Sequence, residues 1–242
     1  SDGLRFWRLP WVRHQSSRYF SRLTAHDSQP KIRYGMHRRP GVFGGYNCVG
    51  PMQKLNLETQ IGKIKFKNPV LVAKNSTLCH LGSIPSIVRD EDVVILDHQV
   101  HNSVQSACQM LKPRGIRVEM IRHSNLEMLE DRIKSLRDKY TKIWYMIDGV
   151  YSMFGDCAPL PELIQLLDKY PQFHLYVDDV HGMSWAGEHG TGYVLSKIKT
   201  LHEKMVLVGT LSKSFGASGA VLVCKNKELS RYIRNFGGPL SF

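Results

Sequence analysis

From residue 70 onward the chain repeats one unit, a short apolar run, a polar stop, and a longer amphipathic or turn-rich stretch before the next run. The runs are VLVAK at 70–74, DVVILD at 92–97, IRVEM at 116–120, IWYMID at 143–148, FHLYV at 173–177 and MVLV at 205–208. Their length and their Val, Ile and aromatic content mark buried strands. Between them, Leu126, Leu129, Ile133 and Leu136 recur at helical spacing behind a capping-box pattern of Ser124 and Glu127. Pro161 stands where a helix over 162–170 would start. The alternation predicts an α/β fold, a mainly parallel sheet flanked by helices, over residues 70–223.

With 242 residues, 42% of them apolar, the chain can bury one large domain or somewhat more. No run approaches the roughly eighteen apolar residues a membrane span needs. Cys48, Cys79, Cys108, Cys157 and Cys224 lack any CxxC or metal-ligand spacing, which predicts free thiols in a reducing, cytoplasmic setting and no metal site. The net charge of +12 is uneven: residues 1–40 hold nine Lys/Arg against Asp2 and Asp27. A basic segment over 1–34 reads as a nucleic-acid or membrane-surface arm, as the remnant of a targeting peptide, or as a margin packed on the domain through Trp7, Trp11, Tyr19 and Phe20. The last reading is preferred, with no nucleic acid as partner, and the domain proper is placed at 35–242.

Two places on this frame carry chemistry. VLVGTLSKSFGASGAV at 206–221 sets Lys213 in a loop directly after a strand, punctuated by Gly209, Gly216 and Gly219. Lys213 is a Schiff-base lysine or a solvated loop lysine, and what else converges on it decides between them. Upstream, the run at 173–177 stops at Asp178, with His181 three residues on. A carboxylate and an imidazole at the carboxyl end of a parallel strand lie where open α/β sheets bind ligands. A lysine to hold an aldehyde, a carboxylate to keep a pyridine nitrogen protonated and a donor for a phenolic oxygen are what pyridoxal phosphate requires.

VDDVHGMSWAGEHGTG followed by GTLSKSFGASGA resembles the α-oxoamine synthases, acyl-transferring pyridoxal-phosphate enzymes of fold type I, and weaker matches in GVYSMFGDCAPL and LDHQVHNSVQSA extend the resemblance over residues 35–242. The resemblance implies the large domain of that fold, with the small carboxyl-terminal domain outside this chain. It also implies a homodimer, an amino acid and an acyl-CoA or acyl-carrier thioester as substrates, and loss of carbon dioxide in the reaction. By the same resemblance, Lys213 holds the cofactor and removes the Cα proton. Asp178 faces the pyridine nitrogen, His101 stacks on the ring, Ser152 and His181 lie at the phenolic oxygen, and Thr210 contacts the phosphate. Ser76 and Thr77, at a helix start, offer backbone amides to the phosphate. There Ser76 replaces the family's glycine and His80 its asparagine, and a plain N-cap by Asn75 or Ser76 reads equally well. Phe154 stands where the family commonly has an acid. Two other readings stay open: an aminotransferase on the same large domain, and a non-catalytic relative that partners an active chain.

Overall fold

All six apolar runs fold as strands, and a seventh follows the lysine loop. The structure is a computed structural model that describes residues 67–238 other than Ala217, together with Glu58, Gly62 and Phe66. These residues belong to one of two units of the chain, Leu57–Phe242. The basic segment 1–34 and most of a helix expected over 52–66 from Met52, Leu55, Ile61 and Ile64 lie outside the described residues.

In chain order the strands are β1 (Val70–Ala73), β2 (Val93–Asp97), β3 (Arg117–Ile121), β4 (Ile143–Asp148), β5 (Phe173–Asp178), β6 (Met205–Thr210) and β7 (Ala220–Cys224). The helices are α1 (Ser76–Ile87), α2 (Asn102–Gln109), α3 (Leu126–Leu136), α4 (Leu160–Lys169), α5 (Tyr193–Ile198) and α6 (Lys227–Phe236). The seven strands make one sheet in the order β1-β7-β6-β5-β4-β2-β3. Strands β3, β2, β4, β5 and β6 run parallel, and β7 runs antiparallel to both of its neighbours, β6 and β1.

Continuous apolar runs are what a parallel sheet demands, because helices cover both its faces. Every residue of β2, β4, β6 and β7 is buried. On one face, Leu71, Val94, Trp144, Val208 and Leu222 pack with Ile84 of α1, Val104 of α2 and Ile233 of α6 into one core cluster. On the other, α4 packs against β5 and touches α3 and α5, and Leu129, Ile133, Leu163 and Leu167 are fully buried. Each such side chain contributes about 1.5 to 3 kcal/mol by leaving water. The chain goes from β2 outward to β3 and returns to β4 on the far side of β2, and this reversal opens a crevice at the carboxyl ends of β2 and β4.

The structure departs from the sequence reading in three local ways. Gly209 lies inside β6 rather than in a loop, paired with Val221 of β7, and Met183 packs where a side chain at 209 would stand. Asn125, not Ser124, caps α3: its side chain accepts from Met128 N at 2.8 Å, while Ser124 has φ +49 and gives its N–H to Asp97 Oδ2. The helix expected from 162 starts at Leu160, with Pro161 in its first turn. Glu58 is buried and accepts from Val72 N at 2.8 Å and from the Arg234 guanidinium of α6. Among the described residues no helix is long and apolar enough to cross a membrane.

Candidate active site

The lysine loop is the connection between antiparallel β6 and β7, and its base is tied shut. Leu211 N donates to Gly219 O at 2.9 Å, and Thr210 Oγ1 donates to the same oxygen at 3.1 Å. Thr210 Oγ1 also accepts from Ser212 N at 3.2 Å and lies 2.8 Å from Ser212 Oγ. Gly216 and Gly219, at φ +64 and +125, take backbone conformations open to glycine, which lets so short a loop turn. From this loop Lys213 reaches back so that its Nζ lies 3.0 Å from His181 Nε2, just past the end of neighbouring β5. Burial and then the Lys213 charge hold His181 below the usual imidazole value, so the ring is neutral and its Nε2 can accept a hydrogen bond from Lys213 Nζ.

Two adjacent carboxylates end β5, and their surroundings separate their roles. Asp179 points into a cradle of three glycines: a methyl group on Gly149, Gly182 or Gly192 would overlap its carboxyl. Its Oδ2 accepts from Val194 N at 2.9 Å, in the first turn of α5, and its Oδ1 has no hydrogen-bond partner. Burial, with Asp178 adding to it, pushes the Asp179 carboxyl up to about 8, so it is protonated at neutral pH. Asp178 has the opposite environment. Burial works against its charge, but His80, with Nε2 2.9 Å from Oδ2, the Val180 N–H at 3.1 Å and His101 together hold its carboxyl below the usual value. Asp178 is therefore the buried anion of the pair. Asp179 is a peg that fixes the turn carrying His181.

His101 precedes α2 and caps it: Ser103 N donates to Nδ1 at 3.2 Å, and Ser103 Oγ lies 2.7 Å from the same nitrogen. With Nδ1 used as an acceptor, the proton of a neutral ring sits on Nε2. The His101 N–H donates to Asp148 Oδ1 at 3.1 Å, which joins the ends of β2 and β4 across the crevice. Burial and the Asp178 charge push Asp148 up to about 8. Ser76 and Thr77 occupy the first turn of α1, capped by Asn75 through its bond from Leu78 N at 2.8 Å, and their N–H groups are among those no helix can satisfy internally. Ser152 lies exposed in the turn after β4, and no hydrogen bond ties it to His101, His181 or Lys213. Thus Asp178, His181, Lys213 and His101 gather at the strand ends, and Thr210 shapes the lysine loop from below.

Sequence reasoning did not reveal two partners. His80 was noted only as a departure from a family pattern, yet it pairs with Asp178. His123, just past β3, stands between Asp97, 2.8 Å from Nδ1, and Asp156, 2.5 Å from Nε2. It thereby ties the loop after β4 to the end of β2. Cys79, Cys108 and Cys224 are buried free thiols and Cys157 is half-buried, as the scattered spacing predicted for these four.

Known proteins share this sequence pattern and fold. A family model for aminotransferase class I and II matches residues 43–242. The 8-amino-7-oxononanoate synthase of Thermoanaerobacter pseudethanolicus is 34% identical over 187 residues, 77% of this chain and 46% of that protein. That of Coprothermobacter proteolyticus is 33% identical over 192 residues, 79% of this chain and 47% of that protein. A solved serine palmitoyltransferase from S. paucimobilis, with a bound PLP-myriocin aldimine, is 26% identical with a TM-score of 0.66, covering 77% of this chain and 46% of that one. The chain spans about half the length of the curated relatives it matches. The matched family model, the mainly parallel sheet with its single antiparallel insertion, and relatives that are all α-oxoamine synthases place this chain in the aminotransferase class I and II family, within its α-oxoamine synthase branch.

Proposed function

We propose that the chain is the cofactor-binding large domain of a synthase that condenses an amino acid with an acyl thioester, holding pyridoxal 5'-phosphate at Lys213. The observation that carries this reading is the contact between Lys213 Nζ and His181 Nε2 at 3.0 Å beside the buried anion Asp178. A primary amine, a neutral imidazole and a carboxylate kept ionised against its own burial match the aldehyde, the phenolic oxygen and the ring nitrogen of that cofactor. The residues therefore fit the group. When bound, the cofactor supplies an electron sink for a carbanion at the amino acid's Cα.

The chain's own residues do the rest. Asp178 favours a protonated ring nitrogen through its charge. Lys213 would hold the cofactor and is the base placed to take the Cα proton, with the neutral His181 ring beside it. His101, its ring fixed by Ser103, would stack on the face of the cofactor ring. The amides of Ser76 and Thr77 and the hydroxyl of Thr210 serve the phosphate, and Ser152 serves the phenolic oxygen. A homodimer, a cytoplasmic setting, and acyl-CoA or an acyl-carrier thioester as donor belong to the same reading.

The test is direct. The chain is incubated with pyridoxal phosphate, reduced with borohydride and digested, and the modified peptide should be the one containing Lys213. Modification of another lysine, or of none, sinks the assignment. With amino acid and acyl thioester supplied, free thiol and carbon dioxide should appear in equal amounts. A keto acid formed with no need of thioester would favour an aminotransferase, and cofactor binding without turnover would favour a partner subunit.

A further inference from the structure

His80, in the second turn of α1, is completely buried and has a polar atom close to each ring nitrogen. Nδ1 lies 2.9 Å from Tyr176 Oη, and Nε2 lies 2.9 Å from Asp178 Oδ2, close but off the line of a good hydrogen bond. The proton directions along this chain are fixed from its far end. Ser83 Oγ donates its only proton to Cys79 O at 2.7 Å, one turn back on α1. It can then only accept from Tyr176 Oη, 2.8 Å away. With the Tyr176 proton used there, the phenol oxygen can only accept from His80, so Nδ1 carries a proton. Nε2 then faces Asp178 with a proton or with a bare lone pair. A lone pair against a carboxylate in a dry site is repulsive, so the geometry favours a proton on Nε2 as well.

We propose that His80 is a positioning residue for Asp178: it holds the carboxylate in place and ionised, and the relay Cys79 O, Ser83, Tyr176 sets the direction of its protons. The pairing itself stands on geometry, whereas its value for a cofactor rests on the function proposed above. The other titratable groups facing Asp178 are Cys79 on α1, His101 ahead of α2, Asp148 at the end of β4, and Asp179 and His181 beyond β5. His101 is the further member of this set that lowers the Asp178 carboxyl, whereas Cys79, Asp148 and Asp179 bring no positive charge. His80 is thus the main counter-charge at the buried oxygen.

The test needs no catalysis. Nitrogen NMR of the isotope-labelled, cofactor-free chain should show protons on both His80 ring nitrogens at neutral pH. A His80 ring with either nitrogen bare overturns the proposal. Carbon NMR of the Asp178 carboxyl should show its midpoint rising by about 1 to 3 pH units in His80→Asn, the range expected when an opposite charge is removed. An unmoved midpoint also overturns it. Tyr176→Phe keeps the ring volume while removing the acceptor at Nδ1, so it serves if His80→Asn does not fold, and it too should raise the Asp178 midpoint. His80→Gln, which offers an amide donor without charge, should leave Asp178 titrating higher than in the unaltered chain; a midpoint equal to the unaltered one refutes the charge role. In a parallel absorbance titration, His80→Asn should bind pyridoxal phosphate several-fold more weakly. An unaltered chain that takes up no cofactor refutes the proposed function, and the NMR midpoints then decide the role of His80 alone.

Discussion

Asp179 offers a prediction whose size follows from the structure. Its carboxyl is pushed up to about 8 in the folded chain, chiefly by burial in the glycine cradle, from an ordinary value of 3.8. Between those two values the folded chain holds a proton that the unfolded chain has released. The folded state is therefore favoured at the acid end of this window, and stability falls as pH rises through it, by about 1.4 kcal/mol per pH unit for one proton. Asp148, raised in the same direction, contributes a second such proton. Asp179→Asn keeps an oxygen to accept from Val194 N, keeps a donor at the position of Oδ1, and no longer titrates. Relative to the unaltered chain, its stability should gain about 2 to 3 kcal/mol between about pH 5 and pH 7, because the difference between the two curves isolates one proton. Urea unfolding followed by far-ultraviolet circular dichroism over a pH series gives both curves. Parallel curves, with no change of slope, would mean that Asp179 is ionised in the folded protein, and the argument from burial would fail.

Two further outcomes follow from the same geometry. Gly192→Ala should abolish soluble folded protein, since it places a methyl group into the Asp179 carboxyl and forces a φ of +110 on an alanine; expression yield and thermal unfolding read this out, and a variant that melts like the unaltered chain would be inconsistent with the cradle. Thr210→Val removes the bonds to Gly219 O and Ser212 from a buried position, and should cost about 1 to 3 kcal/mol in urea unfolding while changing the rate at which Lys213 is modified by pyridoxal phosphate and borohydride; an unchanged rate would mean that Thr210 does not shape the lysine loop.

The sheet was legible because parallel strands buried on both faces write themselves as continuous apolar runs, and every such run from VLVAK to MVLV became a strand. Lys213, Asp178 and His181 were legible because strand ends followed by glycine turns leave few residues free to point at a ligand. What the sequence could not separate was Asp178 from Asp179. The two differ by one step along the chain, and only the glycines brought in from three different segments decide which is enclosed as a neutral peg. His80 was illegible for a related reason: its contacts with Tyr176 and Asp178 cross almost a hundred residues, and no local period encodes such a meeting. The capping of α3 slipped by one residue because Asp97, at the end of another strand, takes the Ser124 N–H. The antiparallel sense of β7 depends on a nine-residue loop being tied shut by Thr210 and Leu211, a tertiary detail absent from apolar content.

The placement of β7 also dictates an order of events. Among the described residues, strand β1 pairs only with β7, in the register Val70 with Val223, so the first described strand waits until residue 223 has been made before it has a neighbour. Strands β2, β4, β5 and β6 pair with partners that are much nearer in sequence and can assemble first. Helix α1 follows β1 directly and packs against α2, β6 and β7, so its contacts reach both near and distant parts of the sequence. Contacts of such long range make for slow folding. A ribosome-bound chain that has not yet emerged through residue 224 would hold β1 without its partner β7.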